Sequence, residues 1–168
     1  IGLKNDTDLS SVNMAFSNLV QISATLDKID QLNVYREKVL KRNAELKVNS
    51  PTLSFNNIFY DVILKMRAKD YSGAIKELDG EKIRNIVRQE GMGRFDVVRL
   101  INLAKAHIGL DGNYPKAIEY LQRAELTADS VAMKDARLEV YKNMRDVYED
   151  SGLKDKAMEY QYKYLALK

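Results

Sequence analysis

Four octets along the chain carry one pattern of apolar and polar places: FSNLVQIS (16–23), FYDVILKM (59–66), LINLAKAH (100–107) and YKNMRDVY (141–148). They begin at Phe16, Phe59, Leu100 and Tyr141, at spacings of 43, 41 and 41 residues. The first and fourth places are apolar in every copy. The eighth, filled by Ser23, Met66, His107 and Tyr148, continues them as an i, i+3, i+7 stripe, the signature of one helix face. The third place is always a short polar residue: Asn18, Asp61, Asn102 and Asn143.

A second phrase follows three of the octets: DYSGAIKEL (70–78), NYPKAIEYLQRA (113–124) and LKDKAMEYQYKYLAL (153–167). Each sets a small residue, Ala74, Ala117 or Ala157, just inside a new helix, where a methyl side chain admits a close neighbour. Ser50-Pro51 reads as an N-cap followed by Pro in the first turn, and Pro115 opens another helix in the same way. Gly112 and Gly152 stop the helices before them. The pattern therefore predicts an all-α chain of about four antiparallel hairpins, near 9–48, 51–90, 94–128 and 130–168, stacked as a solenoid.

These residues resemble the tetratricopeptide repeat family. Tyr141, Met144, Tyr148, Gly152 and Ala157 match its spacing, as do Leu100, Leu103, Ala104 and Ala117, with one extra residue in the Leu110–Asn113 turn. The resemblance covers 55–168 well and 9–48 weakly. The small residue of the family's first helix appears only as Ala104, where the other copies have Val20, Ile63 and Arg145. Leu32-Asn33-Val34 stands where the first unit's Ala is expected. A period above the usual length of about 34 residues predicts longer second helices.

The resemblance implies a right-handed superhelix whose first helices line a concave wall that captures a protein or peptide. Carried over place by place, the implied ligand contacts are Tyr60, Asp61, Asn102, Lys105, Lys142, Asn143 and Asp146. The Asn and Lys side chains would offer donors to a peptide carboxylate or backbone. The Asn column also has a structural use, bonding backbone between hairpins. Lengthened units of this kind recur in bacterial regulators and sensors, which implies a sensing or scaffolding region of a larger protein.

Composition narrows the alternatives. Hydrophobic residues make up 45% and charged residues 30% of 168 residues, enough for one real core. A net charge of +3 is too mild to select nucleic acid or an anionic membrane. The basic groups Arg36/Lys38/Lys41/Arg42 and Arg84/Arg88/Arg94/Arg99 are broken by Glu37, Glu45, Glu81, Glu90 and Asp96, so they read as solvated faces. No apolar run reaches the ~20 residues of a membrane helix. Cys is absent, which leaves the compartment open. The start at Ile1 reads as a processed product or an excised piece.

Candidate chemistry is sparse. His107 is the single histidine and falls in the ring place of the octet, so it reads as packing and not as a metal ligand or base. EGMGRF (90–95) reads as a connector, since phosphate loops follow a strand. The carboxylate pairs Asp6/Asp8 and Asp27/Asp30 read as caps, and Glu149/Asp150 as an exposed helix end. No enzyme, cofactor or metal is expected. Among ten tyrosines, Tyr141 and Tyr148 lie seven apart on one stripe and Tyr160 and Tyr164 are i, i+4 neighbours, spacings that suit packing. Tyr162 and Tyr164 suggest a missing neighbour, which makes a homodimer through the last hairpin the alternative reading.

Overall fold

The computed structural model describes residues 50–168, with isolated helical positions at 34, 36–38, 40, 41, 44 and 45. The Phe16 octet, with Asn18, and the Asp6/Asp8 and Asp27/Asp30 pairs lie outside the described residues. From residue 51 onward the chain forms α1 (Pro51–Arg67), α2 (Tyr71–Leu78), α3 (Glu81–Val87), α4 (Gly93–Asp111), α5 (Tyr114–Ser130), α6 (Lys134–Asp150) and α7 (Lys154–Leu167). No strand occurs among the described residues. No described helix is long and apolar enough to cross a membrane.

The helix starts follow the cap residues. The Leu53 N–H donates to the Ser50 hydroxyl at 3.1 Å, Gly73 N–H to the Asp70 carboxylate at 2.9 Å, and Lys116 N–H to the Asn113 side chain at 3.0 Å. Each bond satisfies a donor that the first helical turn leaves without a partner. At the other end of α4, Gly112 takes φ of 67°, a left-handed turn that L side chains resist. The EGMGRF stretch is indeed a connector: Gly91, at φ of 77°, links α3 to α4, and Gly93 opens α4.

The long period is made differently from the expectation of longer second helices. In the unit starting at Pro51 the extra length becomes a separate short helix, α3, because Gly80 breaks the run after Leu78. In the next unit both helices lengthen, to 19 residues in α4 and 17 in α5.

Direction can be read from contacts between helix ends. Lys134 Nζ donates to the Lys168 carbonyl at 3.2 Å, so the start of α6 lies beside the end of α7. A Cβ added to Gly93 would meet Val131, which sets the start of α4 beside the end of α5. Arg94 pairs with Asp135 at 2.6 Å, and the rings of Phe55 and Phe95 lie 4.8 Å apart. Thus α1, α4 and α6 begin at one end, while α5 and α7 return. The octets superpose in this arrangement: Val62, Leu103 and Met144 at the fourth place are all fully buried. Ala74, Ala117 and Ala157 are buried where their helices pack against the preceding one, and burying side chains of this class contributes about 0.8 kcal/mol per CH2 group.

One basic residue assigned to a solvated face is interior. Arg99 is 4% exposed, its Nε donating to Asp96 at 2.7 Å and its Nη1 to the Leu78 carbonyl at 3.2 Å. A buried guanidinium is tolerable only when its donors are occupied. Here it ties the end of α2 to α4.

Candidate interaction surface

Of the seven residues that the sequence brought together, five share a stripe. Asp61, Asn102 and Asn143 occupy the third place of the octet and are all half-buried. Three residues further on, one turn along the same face, stand Leu64, Lys105 and Asp146. Because α4 and α6 run alike in a 41-residue register, Lys105 on α4 falls within electrostatic reach of Glu139, Lys142 and Asp146 on α6.

Lys105 is exposed to solvent, yet protein surrounds it on its sides. Desolvation holds its pKa below the ordinary lysine range, Glu139 and Asp146 opposing this and Lys142 adding to it. No hydrogen bond or ion pair to Lys105 occurs among the described residues. Two carboxylates of the stripe are engaged. Asp146 accepts from Arg145 at 2.8 Å, and Asp61 lies 3.6 Å from Arg36.

The Asn column bonds backbone within its own helix and not between hairpins. Asn102 Nδ2 donates to the Val98 carbonyl at 2.8 Å and Asn143 Nδ2 to the Glu139 carbonyl at 2.7 Å, both four residues back. A carboxamide has two N–H groups and an acceptor oxygen. One N–H and the oxygen of each Asn are left for another partner, the pair a peptide bond can meet.

Tyr60 and Lys142 do not belong to this stripe. Both occupy the second place of the octet, a step of about 100° around the helix. Tyr60 is 1% exposed with the Arg36 guanidinium 4.4 Å above its ring, and its counterpart Ile101 is fully buried. Lys142, at the same place on α6, is exposed.

The same comparison defines the end face of α6 and α7. On the α4–α5 hairpin, Ile101, Ala104 and Leu121 are fully buried, and Ile108 and Tyr114 pack against the core. Shifted by the repeat, these five places hold Lys142, Arg145, Gln161, Glu149 and Lys154. Four of them, Arg145, Glu149, Lys154 and Gln161, border an open groove of about 540 Å³, in which Arg145 Nη1 donates to the Gln161 side-chain oxygen at 3.0 Å. Beside it on α7 runs an apolar stripe at i, i+4 and i+7: Met158, Tyr162 and Leu165, exposed by 54%, 64% and 56%.

The remaining candidates are packing residues. The His107 ring stacks on Tyr120 at 5.4 Å with 17° between planes. Tyr160 lies against Tyr141 and Tyr148, at 6.0 and 5.6 Å, and its hydroxyl donates to Glu125 at 2.7 Å. Glu149 and Asp150 are exposed at the end of α6.

Comparison of the chain with protein-family models, with curated proteins and with solved structures finds no match to any of the three.

Proposed function

We propose that this chain is a non-enzymatic interaction module, a stack of helical hairpins of tetratricopeptide type that holds an extended peptide or a protein segment along its first helices. In this reading it forms the sensing or scaffolding region of a larger bacterial regulatory protein, an assignment that rests on the resemblance of its lengthened units.

One observation carries the proposal. A polar residue recurs at the third place of the octet on α1, α4 and α6, and one turn along α4 stands the Lys105 ammonium with no direct partner among the described residues. The remaining amide groups of Asn102 and Asn143 suit a peptide backbone. Lys105 suits a carboxylate or carbonyl, and Glu139 and Asp146 beside it suit a basic residue next in the bound sequence.

Selection of displayed random peptides against the immobilised chain, followed by titration calorimetry, tests this. Enriched peptides should lose about tenfold or more in affinity on Lys105→Ala or Asp146→Ala, equivalent to about 1.4 kcal/mol. They should bind Lys154→Ala unchanged. The absence of enriched peptides, or equal loss in all three variants, would remove the wall from consideration.

A further inference from the structure

We propose that Arg36 is a specificity-determining residue of the same wall: its guanidinium occupies a cation subsite at Asp61, and a basic residue of a bound peptide takes that place by displacing it. The inference rests on the peptide-binding reading and adds to it a competitor carried by the chain itself. Among the described copies Asp61 is the acidic member of the third-place column, where Asn102 and Asn143 are neutral. Its side chain is 48% exposed, so a ligand lying along the stripe can reach it. Arg36 Nη2 stands 3.6 Å from Asp61 Oδ1, and the guanidinium carbon lies 4.4 Å from the centre of the Tyr60 ring. A carboxylate beside a ring face is the setting that an arginine or lysine of a peptide would seek.

The hold on Arg36 is loose. Charge-assisted hydrogen bonds run to about 2.7–2.9 Å, and the Arg36–Asp61 separation of 3.6 Å falls outside that range. Arg36 Nε is buried with no hydrogen-bond partner among the described residues, and an unmet donor costs free energy for as long as the side chain stays there. Arg99, which joins α2 to α4, is the contrast, bonded through both Nε and Nη1. Displacing Arg36 therefore costs little, because an exposed pair contributes little and the freed Nε regains water. While it stays, its charge cancels that of Asp61 and turns away a weakly basic ligand.

The test selects displayed random peptides on the full chain as wild type, Arg36→Gln and Arg36→Gln/Asp61→Asn, all checked for fold by circular dichroism, and titrates the enriched peptides by calorimetry. Peptides carrying a basic residue should bind Arg36→Gln about three- to tenfold tighter than wild type. Replacing that basic residue with norleucine, or adding Asp61→Asn, should erase the gain. Arg36→Lys, which keeps the charge and gives up the flat contact with the ring, should gain about twofold or less. Equal affinity for wild type and Arg36→Gln, or a gain that survives Asp61→Asn, would overturn the role of Arg36, and a continued loss on Lys105→Ala would then leave the wall standing. Peptides indifferent to Lys105→Ala would instead overturn the wall, and this inference with it.

Discussion

Arg99→Met removes a buried cation while keeping most of the hydrophobic stem that packs between α2 and α4. Two bonds disappear: Nε to Asp96 at 2.7 Å and Nη1 to the Leu78 carbonyl at 3.2 Å. The Asp96 side chain is partly exposed, so water recovers much of its loss. The Leu78 carbonyl belongs to a fully buried residue in the last turn of α2, and an unsatisfied buried acceptor costs about 1–3 kcal/mol. Adding the lost bond to a partly buried carboxylate brings the expected destabilisation to about 3 kcal/mol. For a chain of this size each kcal/mol lowers Tm by about 2–4 °C, so the drop should be about 6–12 °C. Urea unfolding followed by circular dichroism at a fixed helix band measures it. Asp96→Asn should cost less, and the double variant should cost less than the sum because the two groups are coupled. A loss below about 1 kcal/mol for Arg99→Met would refute the claim that this guanidinium joins the two hairpins.

Burial and the Glu125 carboxylate beside it push the Tyr160 pKa upward, and burial followed by Asp129 and Glu125 does the same for Tyr141. A folded-state pKa above the unfolded value near 10 gives stability that is complete below that pH and is lost as pH rises above it. Alkaline unfolding should therefore begin above about pH 10, and Tyr160→Phe should flatten that pH dependence at the cost of the Glu125 bond, about 1 kcal/mol at neutral pH. For Lys105, desolvation lowers the pKa of a solvent-reached amine, so acylation at mildly alkaline pH should modify it faster than the exposed Lys154. Peptide mapping by mass spectrometry reads the ratio, and equal rates would argue against a hemmed-in ammonium. Asn143→Ala replaces a residue that bonds only its own helix, so helix propensity should raise stability by a few tenths of a kcal/mol. The same variant should weaken any peptide held on the wall, and a loss of stability instead would assign the Asn a purely structural duty.

The octet was legible because its fourth place is buried in all three described copies and its first place is buried or half-buried, and the caps because Ser50, Asp70 and Asn113 act locally. Tyr60 was misplaced for a geometric reason. A helix packed against more than one neighbour has a buried arc wider than one stripe. At the second place of the octet Tyr60 and Ile101 are buried, while Lys142 is exposed. Arg99 was hidden for another reason: its hydrogen bonds go to a carboxylate three residues back and a main-chain oxygen twenty-one residues back, and the second has no sequence mark.

The principal packing partners of each described helix are elements one or two places away along the chain. Little loop entropy has to be surrendered before such contacts form, so a chain wired this way should acquire its structure fast and piecewise. Cutting it at the Ser151–Leu153 turn should leave α4 and α5 with most of their support, whereas a cut inside α4 would orphan elements on both sides.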